Sequence, residues 1–182
     1  EDINHTIQNF QNAAMRADKA GFDMVEIHAA HGYLVSQFMS PLSNLRNDAY
    51  GLKHQFLNDV IQAVKEVWPV EKAISVRISG TEYHPEGFDI DDVIEILKAC
   101  DLDRVDIIHV SSGGNIRPNV TSFEEGYQLP LARKIKQQLN MKTIGPLKHS
   151  NMTLILGLTC NSYIFLILYT QGSEGIRQWQ IN

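Results

Sequence analysis

The sequence predicts an α/β protein in which parallel strands alternate with helices, and within that class a segment of a (β/α)8 (TIM) barrel. Three observations predict it. Short apolar runs of strand length alternate with longer stretches whose apolar residues recur at helical spacing. The connections after the strands are long and carry His, Tyr, Ser and Gly, while those after the helices are short; sites of α/β folds lie at the strands' C-terminal ends. No Gly-x-Gly-x-x-Gly opens a helix after a strand, which weighs against an open dinucleotide-binding sheet.

The elements follow in order. Residues 6–20 place Ile7, Phe10, Ala13, Ala14 and Ala17 at helical spacing, and Gly21 is a natural stop. "FDMVEIHAA" is a short strand, followed by a long connection rich in Ser, Pro, Asn and Gly ("MSPLSNLRNDAYG"). Residues 55–67 set Leu57, Val60, Ile61, Val64 and Val67 along one helix face. "AISVRIS" (73–79) alternates with period two and is the second strand. "GTEYHPEGFD" is a polar turn, and "DIDDVIEILKAC" is a helix with acids in its first turn, where the helix dipole favours them. "VDIIHVSSGG" is a third strand running into a glycine pair, Pro130 to Leu139 is a short helix, and "MKTIG" starts a fourth strand. The last forty residues break the alternation. "MTLILGLTCNSYIFLILY" (152–169) is almost continuously apolar and reaches the length of a membrane span. Thr159, Asn161 and Ser162 near its centre, with Lys148 the one close basic flank, favour a buried strand or helix instead.

Composition bounds the function. The 182 residues suit one domain with its own core. A content of 43% hydrophobic and 20% charged residues is ordinary for a soluble globular protein. Net charge −5 with scattered basic residues argues against a nucleic-acid or anionic-membrane partner. Cys100 and Cys160 show no metal-ligand or redox spacing, so no disulfide framework is expected and a cytoplasmic location is the default. The opening "EDINHTIQNF" has neither the basic start nor the apolar run of a signal peptide and reads like the interior of a domain.

The chemistry concentrates in "VEIHAAHGYLVSQFMSP" (25–41). In a strand Met24, Glu26 and His28 point to one side and Val25 and Ile27 to the other. If the chain then curls into a helical turn, His31 lies beside His28, and two imidazole N–H groups converge on one acceptor. A carbonyl oxygen gaining negative charge suits such a pair. Tyr33 adds a phenol, a group whose ordinary pKa of about 10 keeps its proton available near neutral pH. A loop histidine is also commonly just a hydrogen-bonded or exposed residue. His-x-x-His lacks the i+4 spacing and glutamate of a zinc helix, and no further ligand follows at a suitable interval, so no metal is expected. In "AISVRIS", Ile74, Val76 and Ile78 share one face and Ser75, Arg77 and Ser79 the other. A helix-covered parallel strand is ordinarily apolar on both faces. An arginine facing the barrel interior needs an internal ion pair, for instance with Glu26, or an anionic cofactor. The residues alone thus give oxyanion donors, a proton source and an anion partner.

"AGFDMVEIHAAHGYLVSQFMSPLSNLRNDAYG", followed by a helix and "ISVRIS", closely resembles the old yellow enzyme family of FMN-dependent ene-reductases, NADH:flavin oxidoreductases and NADPH dehydrogenases built on an eight-stranded (β/α) barrel. The resemblance covers roughly residues 1–145, and "VDIIHVSSGG" looks like the family's next strand. It implies an incomplete barrel of about strands 4 to 7, FMN as cofactor, and NADPH or NADH as reductant. His28 and His31 match the pair that binds the carbonyl of an activated alkene, Tyr33 the tyrosine that protonates the α-carbon, and Arg77 the arginine near the flavin N1/O2 edge, where positive charge stabilises the reduced, anionic ring. The implied substrate is a small enone-type molecule, with a homo-oligomer left open.

Three departures accompany it. Where the family continues Tyr-Gly-Gly-Ser and then Glu-Asn-Arg, this chain reads "AYGLKHQFL" (49–57), a shortening in the segment that braces the loop holding Tyr33. The resemblance begins just before the family's fourth strand, and four strands cannot close an eight-stranded barrel. The phosphate-binding Gly-Arg near the family's end is not legible; "GSEGIRQW" (172–179) has Ser173 in the arginine's place. The expected organisation is a partial flavin oxidoreductase barrel over 1–145 and a divergent apolar tail over 146–182, of frameshifted or mis-spliced origin. Two other readings compete: a catalytically inactive barrel fragment that binds no flavin, and an unrelated α/β barrel hydrolase with a metal on the His pair.

Overall fold

Helix α1 (Ile3–Lys19) starts where the Asp2 carboxylate accepts the Asn4 backbone N–H and ends with Ala20 donating back to the Arg16 carbonyl. The computed structural model describes residues 2–116, 124–146, 153–156 and 165–168. Strand β1 (Met24–Ala29) follows, then α2 (Leu34–Met39), a 3-10 turn (Ala49–Gly51), α3 (Gln55–Lys65), β2 (Ala73–Ser79) and α4 (Ile90–Lys98). Strand β3 (Ile107–Ser111), α5 (Leu129–Leu139) and β4 (Lys142–Pro146) complete the alternation. Asp89 and Asp92 close a reciprocal capping box on α4, so its acidic start is a cap as well as a dipole partner. The short helix α2 interrupts what the sequence presents as one long loop; six residues are too few for a clear helical stripe.

Strands β1 to β4 pair in sequence order and in parallel, which requires the helical crossovers. This is the architecture of a (β/α)8 barrel segment, with four of the eight parallel strands in consecutive order. Two further strands extend the sheet: β5 (Thr153–Leu156) runs antiparallel on β4, and β6 (Phe165–Leu168) runs parallel on β1. The two described stretches of the apolar run 152–169 are therefore strand, and among the described residues no helix is long and apolar enough to cross a membrane. Cys160 and the "GSEGIRQW" stretch lie outside the described residues.

The sheet has two unlike faces. Val25, Ile27, Ile74, Val76, Ile78, Ile108 and Val110 face the helices and join Phe10, Leu57, Ile61, Val93, Leu97 and Ile135 in the main core. Each such side chain contributes on the order of 1.5–3 kcal/mol when fully buried. The other face carries a small separate apolar cluster of Met24, Ile107 and Ile144, packed with Ala73, at the start of the strands. Beyond it toward the strand ends, the same face turns polar: Glu26 lies opposite Ser75, then His28, Arg77 and His109 stand in one row across three strands, then Ser79 opposite Ser111. That change of chemistry along one face points to the site.

Candidate active site

Alternation places Arg77 on the side that carries Glu26 and His28, and the register makes Arg77 the direct neighbour of His28. His28 and His31 do meet, with ring centroids 5.2 Å apart in an edge-to-face arrangement. The route differs from the expected helical turn. His31 adopts a left-handed backbone conformation with φ 59°, followed by Gly32 at 72°, so the chain doubles back just beyond the strand. Tyr33 then caps α2 and its ring lies 5.0 Å from that of His28, edge-to-face, with the residue 37% exposed. The three predicted groups thus gather at the C-terminal mouth of the strands.

Other loops hold this turn. The His31 backbone N–H donates to Ser79 Oγ at 2.9 Å, and His31 Nε2 lies 2.6 Å from Ser111 Oγ. His28 Nδ1 accepts the Ala30 N–H at 3.3 Å, which leaves Nε2 as the protonated, donating nitrogen of a neutral ring. Gly114, at φ 99°, comes so close that a Cβ there would sit 2.4 Å from His31 Cα. Gly114→Ala is therefore expected to cost about 1–3 kcal/mol and to lower the urea unfolding midpoint; an unchanged midpoint would show that the turn yields freely.

Burial first, and then the Arg77 charge, pull the pKa of His28 and of His31 down to about 4. Both rings are neutral at pH 7 and act as hydrogen-bond donors, not cations. Because an unfolded histidine titrates near 6.5, the unfolded chain takes up these protons first on acidification. The contribution of the two rings to stability is then present above about pH 6.5 and lost as pH falls towards 4. Comparing urea midpoints of the wild type and a His28→Gln, His31→Gln variant across that range checks this: the variant should lose part of the acid slope.

The loop 40–54 is held by its own polar contacts. Buried Asn44 donates to the carbonyls of Phe38 and Tyr50 at 2.7 and 2.8 Å, Lys53 donates to the Asn44 carbonyl, and Arg46 pairs with Asp48. Glu82, 1% exposed, ties three strand-end loops together by accepting from Ser40 Oγ, the Phe88 N–H and Asn115 Nδ2. Sequence reasoning missed Glu82; an acid in a polar turn gives no periodic signal.

It also missed His109. Glu26, 5% exposed, accepts from Ser75 Oγ at 2.9 Å and His109 Nδ1 at 3.0 Å. Among the described residues it forms no ion pair with Arg77, contrary to the internal pairing that sequence allowed, and Arg77 Nε is buried without a hydrogen-bond partner. Burial alone would push the Glu26 carboxyl up, but the His109 hydrogen bond and charge, with the Arg77 charge, hold it below the usual carboxylate range. Among the described residues no three His, Cys, Asp or Glu side chains gather as a metal site. The Cys100 thiol is buried and pushed up to about 12, which keeps it unreactive.

Residues 1–158 match the family model described as NADH:flavin oxidoreductase / NADH oxidase. The chain belongs to this family. It is 46% identical over 146 residues to an NADPH dehydrogenase of Geobacillus sp. (strain WCH70), covering 78% of this chain and 42% of that enzyme. The chain thus spans under half the length of the curated relatives it matches. Morphinone reductase superposes with a TM-score of 0.61 at 25% identity, over 79% of this chain and 38% of that one. A 2-naphthoyl-CoA reductase shares the fold with a TM-score of 0.72 at 22% identity, over 80% of this chain and 23% of that one. The family's cofactors are FMN and a nicotinamide nucleotide. The residues present fit a flavin: a buried guanidinium nitrogen without a partner, on the polar face of the sheet beside His28, is what an anionic ring edge with acceptor atoms would satisfy.

Proposed function

We propose that this chain carries the substrate-binding half of an FMN-dependent NAD(P)H oxidoreductase that reduces activated alkenes, the α,β-unsaturated carbonyl compounds. One observation carries the reading: two neutral imidazoles and a phenol gather at the strand ends beside an arginine with an unpaired buried nitrogen. When bound and reduced by NAD(P)H, FMN supplies hydride chemistry to the alkene β-carbon. Everything else falls to this chain's own residues. Arg77 holds the flavin's electron-rich edge, and His28 Nε2–H, with His31, binds the substrate carbonyl and stabilises the charge that grows on its oxygen. Tyr33 delivers the proton to the α-carbon from its hydroxyl. Neutrality of both imidazoles suits this role, since the carbonyl is polarised by hydrogen bonds without an added buried cation.

The test is direct. The purified chain is titrated with FMN, reduced anaerobically with NADPH, and reoxidised by a cyclic enone. Binding, reduction and enone-dependent reoxidation are expected; a colourless chain that takes up no FMN is an inactive fragment and ends the proposal. Replacing His28 by alanine is expected to weaken a phenolic ligand up to about tenfold, the upper end for one lost neutral hydrogen bond; unchanged affinity would place the ligand elsewhere. The proposal includes the division at residue 145, with 146–182 a divergent tail of frameshifted or mis-spliced origin. In its support, among the described residues no helix follows β4. A transcript with one intact frame continuing through the junction would argue against that origin.

A further inference from the structure

The inner face of the sheet raises a question that the flavin reading does not answer. Glu26 is a buried, ionised carboxylate one row from Arg77, on the adjacent strand and on the same face, yet the two do not pair. Opposite charges attract more strongly where one of them is buried, as Glu26 is. Something must hold the carboxylate back. The two groups that do so are Ser75, directly opposite Glu26, and His109, which reaches it from the next strand but one.

We propose that His109 is a positioning residue for Arg77: by binding the Glu26 carboxylate through Nδ1 it keeps that carboxylate off the guanidinium and leaves the arginine's charge available to an anionic flavin. The geometry is specific. His109 is the sheet neighbour of Arg77 on the far side from His28, so its ring can reach past Arg77 to Glu26 while its own strand fixes its height. Ser75 supplies the second tie from below, and the apolar floor of Met24, Ala73 and Ile107 offers the carboxylate no polar alternative in that direction. Without His109, an unsatisfied donor, Arg77 Nε, stands one row away on the same face. An internal ion pair would then form and the flavin would compete against it.

This rests on the FMN reading for its consequence but not for its geometry, and the experiment separates them. The full chain and its His109→Leu and His109→Leu, Glu26→Gln variants are labelled with nitrogen-15 in arginine, and the Arg77 Nε–H signal is followed without cofactor. In His109→Leu the Arg77 proton is expected to exchange with solvent about tenfold more slowly, as pairing protects it. Adding Glu26→Gln is expected to return it to the wild-type rate. FMN affinity is expected to fall about tenfold in His109→Leu and to recover within about threefold in the double variant. Recovery is the decisive sign, because a merely structural role for His109 would be worsened by a second buried change, not repaired. An Arg77 signal unmoved by His109→Leu, or an affinity loss that Glu26→Gln does not repair, overturns the inference. Should His109→Leu fail to fold, Ser75→Ala loosens the same carboxylate by one hydroxyl and is expected to slow the Arg77 proton less, in the same direction; no change there also overturns it. A wild type that binds no FMN defeats the function proposed above, while the Arg77 signal still decides this inference.

Discussion

Tyr33→Phe is expected to slow enone reduction by roughly 10²–10⁴-fold while NADPH-dependent reduction of the bound flavin stays near the wild-type rate. The substitution removes one hydroxyl and nothing else. The Tyr33 ring sits edge-to-face against His28, and the aromatic contact survives in phenylalanine. Tyr33 is also partly exposed at the mouth of the strands, where substrate can reach it. Folding and flavin uptake are then expected to be unaffected, and the proposed protonation of the α-carbon alone is expected to lose its donor. Stopped-flow measurement of the two half-reactions checks this. Equal loss in both would mean that Tyr33 positions the flavin or the nicotinamide and does not protonate the alkene.

Arg77→Met is expected to weaken FMN binding by about 10- to 100-fold, the range of a lost charged hydrogen bond of 1.5–3 kcal/mol. Its effect on the empty chain is expected to be small, within about 1 kcal/mol by urea unfolding. The contrast is the informative part. A buried arginine held in an ion pair would cost several kcal/mol to remove, because its partner would be left charged and alone. Here the Glu26 carboxylate already has Ser75 and His109, and Arg77 Nε has no hydrogen-bond partner to lose. The guanidinium charge also helps to depress the pKa of His28 and His31, so the variant is expected to let both rings take up protons at higher pH. Nuclear magnetic resonance titration of the two imidazoles would show that rise. A variant that unfolds, or binds FMN as tightly as the wild type, would contradict the assignment.

The strands and the long helices are legible because their cause is local. Period-two alternation in "AISVRIS" marks β2 to the residue, and helical spacing of Leu57, Val60, Ile61 and Val64 marks α3 to within two residues at its end. Asp89 was legible as part of an acidic helix start, though its reciprocal box with Asp92 needs the structure. The helix α2 was not legible, because one and a half turns leave too few apolar positions to set a period. In the site, His28, His31, Tyr33 and Arg77 all stand where the sequence put them, at one end and on one side of the sheet. The turn that joins the histidines is not the helical one the sequence suggests: a left-handed residue is ordinarily glycine or asparagine, and nothing in "HAAHGY" announces a histidine in that conformation.

The sequence by itself determined which side chains share a face, since alternation in a strand is a property of the backbone alone. It therefore grouped Glu26 with His28 on one strand and Arg77 with Ser75 and Ser79 on the other, opposite the apolar residues of each. Tertiary structure alone decided what those groups do to each other. Register across three strands brought His109 to Glu26 over a separation of 83 residues, and loop packing set Gly114 against His31. Such contacts depend on how distant segments align and close together, and that alignment is fixed by the packed core as a whole, not by any short stretch within it.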